Sequence, residues 1–447
     1  MKLNILFGGK AGQGPNIIGH ILAEVLVKRG YWAFYSREYE SLIRGGHNFN
    51  VLSISDKEIY SNESKIDILV CLDENTFEVH KDSLKKNAII LKGKSENMYY
   101  LGSLFKIFGF EFKELEEELK KLKNFEENLK NAKEGYNQEK NKIKLEQIKE
   151  KGEAKHKEEK TFITGSHGIA EGAVKSGLDI YYAYPMTPAT PVLTELAQMQ
   201  EKNNFLVLEL ENEISCINAA LGSAMTGAKA MTGTSGGGFD LMTEALSLSG
   251  QAEIPLVVYL ATRPGPSTGL PTYTSQGDLN LALYSGHGEF NRIVLAPGNP
   301  IEAQELASQA FYFSQKYKIP VIVLSDKHLA ESFYTNKEKA KLTKSEKTTG
   351  MKKYNSYEHD ENGFPTENAE VIKKNFERRL KISKEIEKEA GKFEQYKIYG
   401  NKKSKNLILG FGSTKGAILD SMPEDSCFLQ ILYLEPFPNI TSLLKDK

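Results

Sequence analysis

The chain is poor in cysteine, in tryptophan and in charge of one sign. It has 447 residues, of which three are cysteines and one is tryptophan. Cys71, Cys216 and Cys427 lie far apart and never in C-x-x-C spacing. A disulfide framework is thereby excluded, as is an iron–sulfur cluster built from this chain alone, which needs about four thiolates. The three cysteines read as buried small hydrophobes. No apolar run approaches the ~18–20 residues of a membrane span. Residues 1–9 lack the h-region and cleavage site of a signal peptide, so the expectation is a soluble, cytoplasmic protein. Lysine and arginine number 58 against 59 acids, a net charge of −1. A near-neutral total argues against non-specific nucleic-acid binding, which requires a basic surplus.

What is present suffices for real cores. Hydrophobic residues are 40% of the chain, and the length suggests about three domains. Residues 1–140 alternate strands and helices, an open α/β domain. Leu3–Phe7 reads as a strand, and a glycine-rich turn leads to Pro15 at a helix start. Ile17, Ile18, Ile21, Leu22, Val25 and Leu26 recur at helical spacing. From Phe112 to Leu129 apolar residues recur every three or four positions, which predicts one amphipathic helix. Residues 141–160 are a charged linker with both signs interleaved. A second α/β block occupies 161–335, with strands at 179–184, 205–210, 228–232, 256–262, 292–295 and 319–325. Residues 336–405 read as a charged connecting segment. A strand-turn-helix opens at Asn406, and the 406–447 segment is too short for a whole doubly wound domain, so an incomplete C-terminal α/β domain is the expectation.

Six segments carry candidate chemistry. The first, Gly8-Gly9-Lys10-Ala11-Gly12-Gln13-Gly14, departs from the dinucleotide pattern G-x-G-x-x-G. It reads either as an anion cradle at a helix N-terminus or as a tight strand-to-helix turn. Arg44-Gly45-Gly46-His47 is a polar loop of equally open meaning. Tyr184-Pro185-Met186-Thr187-Pro188 follows a strand directly. Its two prolines stiffen the loop at the strand's C-terminal end, where ligands bind in α/β sheets. Glu213 opens a run of small and apolar residues that reads as a buried helix, where a carboxylate is a helix cap or a functional acid. Thr232-Gly233-Thr234-Ser235-Gly236-Gly237-Gly238 lets backbone approach a ligand. Arg263 begins a Pro/Gly-stiffened loop after an apolar strand and suits a carboxylate. The last four of these motifs occupy comparable strand ends of one domain, and that convergence points to a site.

At these residues the sequence resembles the fused gamma–alpha subunit of the 2-oxoacid:ferredoxin oxidoreductases. Residues 184–188 resemble the motif Y-P-I-T-P, with Met186 for Ile. Residues 232–238 resemble T-x-T-S-G-x-G, and 263–272 resemble R-x-G-P-S-T-G-x-P-T. Gly9–Gly14, Arg44–Gly46, Glu358–Gly363 and Gly410–Thr414 also fit, so the likeness spans nearly the whole chain.

The resemblance implies a gamma-type α/β domain, a thiamine-diphosphate pyrimidine-type α/β domain and the start of a transketolase-type domain. It implies oxidative decarboxylation of a 2-oxoacid to an acyl-CoA, with electrons passed to ferredoxin. By this resemblance the gamma-before-alpha order favours 2-oxoglutarate or a broad-range enzyme. It places Glu213 at N1′ of the aminopyrimidine, with Thr234, Ser235 and Gly236 beside the cofactor. Tyr184, Pro185, Thr187, Pro188, Arg263, Ser267 and Thr268 fall to the substrate. Gly12, Gly14 and Arg44 are candidate contacts for coenzyme A or phosphate. The family's diphosphate and Mg²⁺ fingerprint begins G-D-G, which this chain lacks. Thiamine diphosphate and Mg²⁺ are therefore expected to be shared with a beta subunit, the [4Fe–4S] cluster to belong to that partner, and no metal ligand to come from this chain. The alternatives are a non-catalytic α/β nucleotide-binding or assembly subunit and a cluster-independent enzyme of the transketolase type.

Overall fold

A computed structural model describes residues 1–40, 46–145, 160–348 and 355–445. Along the chain the strands are β1 (Lys2–Lys10), β2 (Trp32–Glu38), β3 (His47–Ser55), β4 (Ile66–Cys71), β5 (Leu84–Leu91), β6 (Thr161–Thr164), β7 (Ile180–Ala183) and β8 (Leu206–Glu209). They continue with β9 (Ala230–Thr234), β10 (Leu256–Thr262), β11 (Ile293–Leu295), β12 (Pro320–Asp326), β13 (Phe333–Asn336), β14 (Tyr396–Gly400), β15 (Leu407–Phe411), β16 (Cys427–Ile431) and β17 (Tyr433–Glu435). The chain divides into two units, Met1–Ile163 with Ser332–Lys337, and Thr164–Glu331 with Glu338–Lys447.

The first unit holds a seven-stranded sheet in the order β5-β4-β1-β3-β2-β13-β6. β1, β4 and β5 run parallel, whereas β3 pairs antiparallel with both β1 and β2. The helix Pro15–Lys28 buries Ile18, Leu22 and Leu26 completely against this sheet. The single amphipathic helix expected from Phe112 is two helices, Phe112–Leu119 and Phe125–Gln138. They break at Asn124, whose φ of 59° takes the left-handed conformation that asparagine tolerates better than most residues. Both helices still turn their apolar stripe inward, through Leu115, Leu119 and Ala132. Ile143, in the charged stretch that follows, donates its N–H to the carbonyl of Ile107 at 2.8 Å and packs on the same core.

Two short pieces cross the divisions drawn from composition. Thr161–Ile163 and β13 both join the first unit's sheet rather than the second block. β13 pairs antiparallel with β2, and Thr335 Oγ1 bonds both the N–H and the carbonyl of Ala33 at 2.9 Å.

The second unit is built on a seven-stranded sheet in the order β17-β11-β12-β10-β9-β7-β8. All its strands are parallel except β17. Every residue of the central β10 is buried, as an uninterrupted apolar strand covered on both faces must be. Parallel pairing places the ends of β7, β9 and β10 side by side on one edge. The charged segment 336–405 is not merely connecting. It contains the 22-residue helix Ala369–Ala390, capped by Asn368 and anchored by Ile386 and Ala390, and then β14. β14, β16 and β15 form a three-stranded sheet with β16 central. This sheet is tied to the helix Pro300–Tyr317 by Glu302, whose buried carboxylate accepts from Lys415 at 2.6 Å, Lys397 at 3.0 Å and Gln430 at 2.7 Å.

Candidate active site

Four loops of the second unit converge at the C-terminal edge of its parallel sheet. The residues between β8 and the helix Glu213–Met225 place Glu213 at that helix's first turn, where Asn212 caps it by accepting from the Ser215 N–H at 2.8 Å. Asn212 thus does the capping, and the Glu213 carboxylate is left over. It is 4% exposed, and its Oε1 has no hydrogen-bond partner. A buried polar atom without a partner is costly, by about 1–3 kcal/mol, which marks a place where a ligand donor fits.

The loop after β9 forms the floor. Thr234 and Ser235 are fully buried, and the Ser235 hydroxyl, at the start of the helix Gly236–Ala252, also lacks a partner. Gly238 has no room for a side chain: a Cβ there would lie 2.1 Å from Thr234 Oγ1 and 2.7 Å from Glu213 Oε1. The glycines after Ser235 therefore let the helix close on the carboxylate. From β7, Met186 brings its sulfur to 3.7 Å from Thr234 Oγ1.

Arg263, at the end of β10, is 9% exposed. Its Nη1 donates to the backbone carbonyl of Thr187 at 2.7 Å, which joins the β7 loop to the β10 loop. It is the Thr187 carbonyl, not its hydroxyl, that makes this contact. Arg263 Nε is buried and unpartnered. Burial pulls this guanidinium below its ordinary value, and the facing carboxylates of Asp278 and Glu213 oppose that pull. Ser267 puts its carbonyl 3.7 Å from where a Gly237 Cβ would stand.

The structure therefore brings together Glu213, Thr187, Thr234, Ser235, Gly236, Arg263 and the Ser267 backbone. Pro188 is buried behind this cluster, while Tyr184, Pro185 and Thr268 lie exposed on its loops. Sequence reasoning missed Asp278, whose Oδ2 is buried against Gly236. A single acid after a glycine makes no recognisable pattern.

Gly12 and Gly14 lie in the first unit. Gly14 has a φ of 74° and caps the helix Pro15–Lys28. Gln13 closes the turn, accepting from the Lys10 N–H at 2.7 Å and donating to the Leu72 carbonyl at 2.9 Å. This is the tight turn that one of the two sequence readings requires. Arg44 and Gly45 lie outside the described residues. Among the described residues no group of three or more His, Cys, Asp or Glu side chains could hold a metal ion. No helix among them is long and apolar enough to cross a membrane.

A buried carboxylate, a buried arginine and a glycine floor at the carboxyl edge of a parallel sheet are the makings of a ligand site in an α/β protein. Residues 171–397 match the thiamine diphosphate-binding family of pyruvate flavodoxin/ferredoxin oxidoreductases, and residues 4–93 match the pyruvate ferredoxin/flavodoxin oxidoreductase family. The 2-oxoacid:ferredoxin oxidoreductase subunit alpha of Saccharolobus solfataricus is 31% identical, over 98% of this chain and 88% of that protein. The 2-oxoglutarate synthase subunit KorA of Methanocaldococcus jannaschii is 39% identical over a shorter stretch, 37% of this chain and 45% of its own length. In fold, the chain matches the 2-oxoglutarate:ferredoxin oxidoreductase of Magnetococcus marinus with a TM-score of 0.85. That match has 23% identity and covers 99% of this chain and 89% of the other. The chain belongs to the alpha subunits of the 2-oxoacid:ferredoxin oxidoreductase family.

Proposed function

We propose that this chain supplies the pyrimidine-side half of a thiamine diphosphate site that oxidatively decarboxylates a 2-oxoacid. The acyl group passes to coenzyme A and the electrons to ferredoxin. The observation that carries the reading is the Glu213 carboxylate, buried, not used as a helix cap and aimed without a partner at a glycine floor. A donor on the cofactor's aminopyrimidine ring fits that oxygen, and Glu213 there holds or moves the proton at N1′. Thr234, Ser235 and Gly236 would hold the ring, and the unpartnered Ser235 hydroxyl could bond it. Thiamine diphosphate, when bound, supplies the nucleophilic carbon and the electron sink.

The 2-oxoacid carboxylate is assigned to Arg263, whose planar fork matches it. The Thr187 carbonyl fixes that guanidinium in place. Tyr184, Pro185, Ser267 and Thr268 shape the entrance, and the buried Pro188 stiffens the loop that carries the first two. Gly12 and Gly14, at a helix N-terminus, are candidates for a phosphate of coenzyme A. The diphosphate and Mg²⁺ would be held by a beta subunit, which also carries the [4Fe–4S] cluster, and 2-oxoglutarate is the favoured substrate.

Reconstitution tests this reading. The purified chain alone is expected to be colourless and to reduce neither ferredoxin nor viologen dye. Adding the cognate beta subunit, thiamine diphosphate, Mg²⁺ and coenzyme A should produce 2-oxoacid-dependent reduction, compared across 2-oxoglutarate, pyruvate and branched-chain 2-oxoacids. Robust oxidation by the lone chain would falsify the half-site reading. An assembled complex inert toward all of them would favour a scaffold role.

A further inference from the structure

Asp278 has no place in the reading above. It immediately precedes the short helix Leu279–Tyr284, and its Oδ2 is buried without a hydrogen-bond partner. It faces the first turn of the helix Gly236–Ala252, where a Cβ on Gly236 would lie 2.5 Å from Oδ2. Two further side-chain atoms around this place are buried and unpartnered, the Ser235 hydroxyl, on a residue with no exposure, and Arg263 Nε. One wall of the site thus carries a carboxyl, a hydroxyl and a guanidinium edge with unused hydrogen-bonding capacity. The charged groups that bear on Asp278 are Asp240, on the helix of Gly236, and Arg263 at the end of β10. Glu213 acts in turn on Arg263.

We propose that Asp278 is a substrate-binding and specificity residue beside Arg263, donating a hydrogen bond to the bound 2-oxoacid when protonated and opposing its negative charge when ionised. The proposal rests on the assignment of Arg263 to the substrate carboxylate. Burial, and then Asp240, raise the Asp278 carboxyl above the ordinary range, while Arg263 works the other way. Below its pKa the site takes an anion without conflict. Above it, an anion binds against a like charge or brings a proton from solvent, which returns to solvent on release. Linkage then raises KM by up to about tenfold per pH unit above that pKa.

The test uses the reconstituted complex with the beta subunit, thiamine diphosphate, Mg²⁺ and coenzyme A. KM and kcat for 2-oxoglutarate and for pyruvate are measured from about pH 5 to 9 in wild type, Asp278→Asn and Asp278→Glu. In wild type log KM should climb with pH, and further for the dianion 2-oxoglutarate than for pyruvate. Asp278→Asn, which donates at every pH, should flatten the climb with kcat changing less than KM, and Asp278→Glu should restore it. A flat wild-type profile, or an Asn profile that superimposes on wild type, overturns the proposal and leaves Arg263 untouched. Should the Asn variant fail to assemble, the wild-type and Glu profiles decide by the same criterion. An Arg263→Ala complex with unchanged KM for every 2-oxoacid removes the substrate subsite, and this proposal with it.

Discussion

Glu213 and Arg263 are both buried, and each keeps an atom with no partner. Such atoms are costly in a folded core, and these two lie on loops at one edge of the same sheet, where a ligand group that bonds them would relieve the cost. Glu213→Gln retains size but cannot exchange a proton. It should lower kcat of the assembled enzyme by about 10²–10⁴-fold while gel filtration shows an intact complex. A variant keeping more than half of the wild-type kcat would remove Glu213 from this role. Arg263→Ala should raise the KM for 2-oxoacids by about 10- to 150-fold, the equivalent of a charge-assisted hydrogen bond of about 1.5–3 kcal/mol, with Arg263→Lys a partial rescue. Arg263 was legible in the sequence because proline and glycine mark its loop at a strand end, and Glu213 because it opens a run of small and apolar residues. Asp278 was not legible. What singles it out is burial against Gly236, a contact made only when two loops distant in sequence have folded together.

At the scale of elements, apolar pattern found the strands and charge misled. The parallel strands β7 to β12 fall where runs of apolar residues predicted them; apart from the exposed edge strand β8, they are buried, and a strand buried on both faces has no other composition open to it. The helix Ala369–Ala390 looks like a connection from composition alone, because charge dominates it. Its contact with the core is narrow, through Ile382, Ile386 and Ala390, and the rest is held by ion pairs such as Arg379 with Glu358 at 2.5 Å. The attachment of the three-stranded sheet was equally invisible, because Glu302 lies far in sequence from Lys397, Lys415 and Gln430. Burial pushes the Glu302 carboxyl up, but Lys415 and Lys397 pull it down further, to about 2. A carboxyl held below its unfolded value stabilises the fold above that value, and the contribution is lost as pH falls from the ordinary 4.5 toward 2. Glu302→Ala strands a buried lysine and should cost about 3–5 kcal/mol, read by urea denaturation at neutral pH. The variant should also lack the part of the acid sensitivity that wild type shows in that window.

For the whole molecule, composition distinguished two α/β blocks and a charged stretch between them. It could not show that the chain returns to its first sheet after completing most of its second. β13 is four residues long and follows β12 closely, so nothing in its composition assigns it to one sheet or the other. Its partner, β2, is some three hundred positions earlier; the bonded pair Ala33 and Thr335 are 302 residues apart. That return has a consequence for biosynthesis. At about 5–20 residues per second, β2 leaves the ribosome tens of seconds before the strand that covers its free side exists. Through that interval the nascent first sheet carries an open edge at β2, a row of unpaired amides and carbonyls able to recruit another chain. The order of synthesis makes this edge a place where a chaperone would guard the nascent chain.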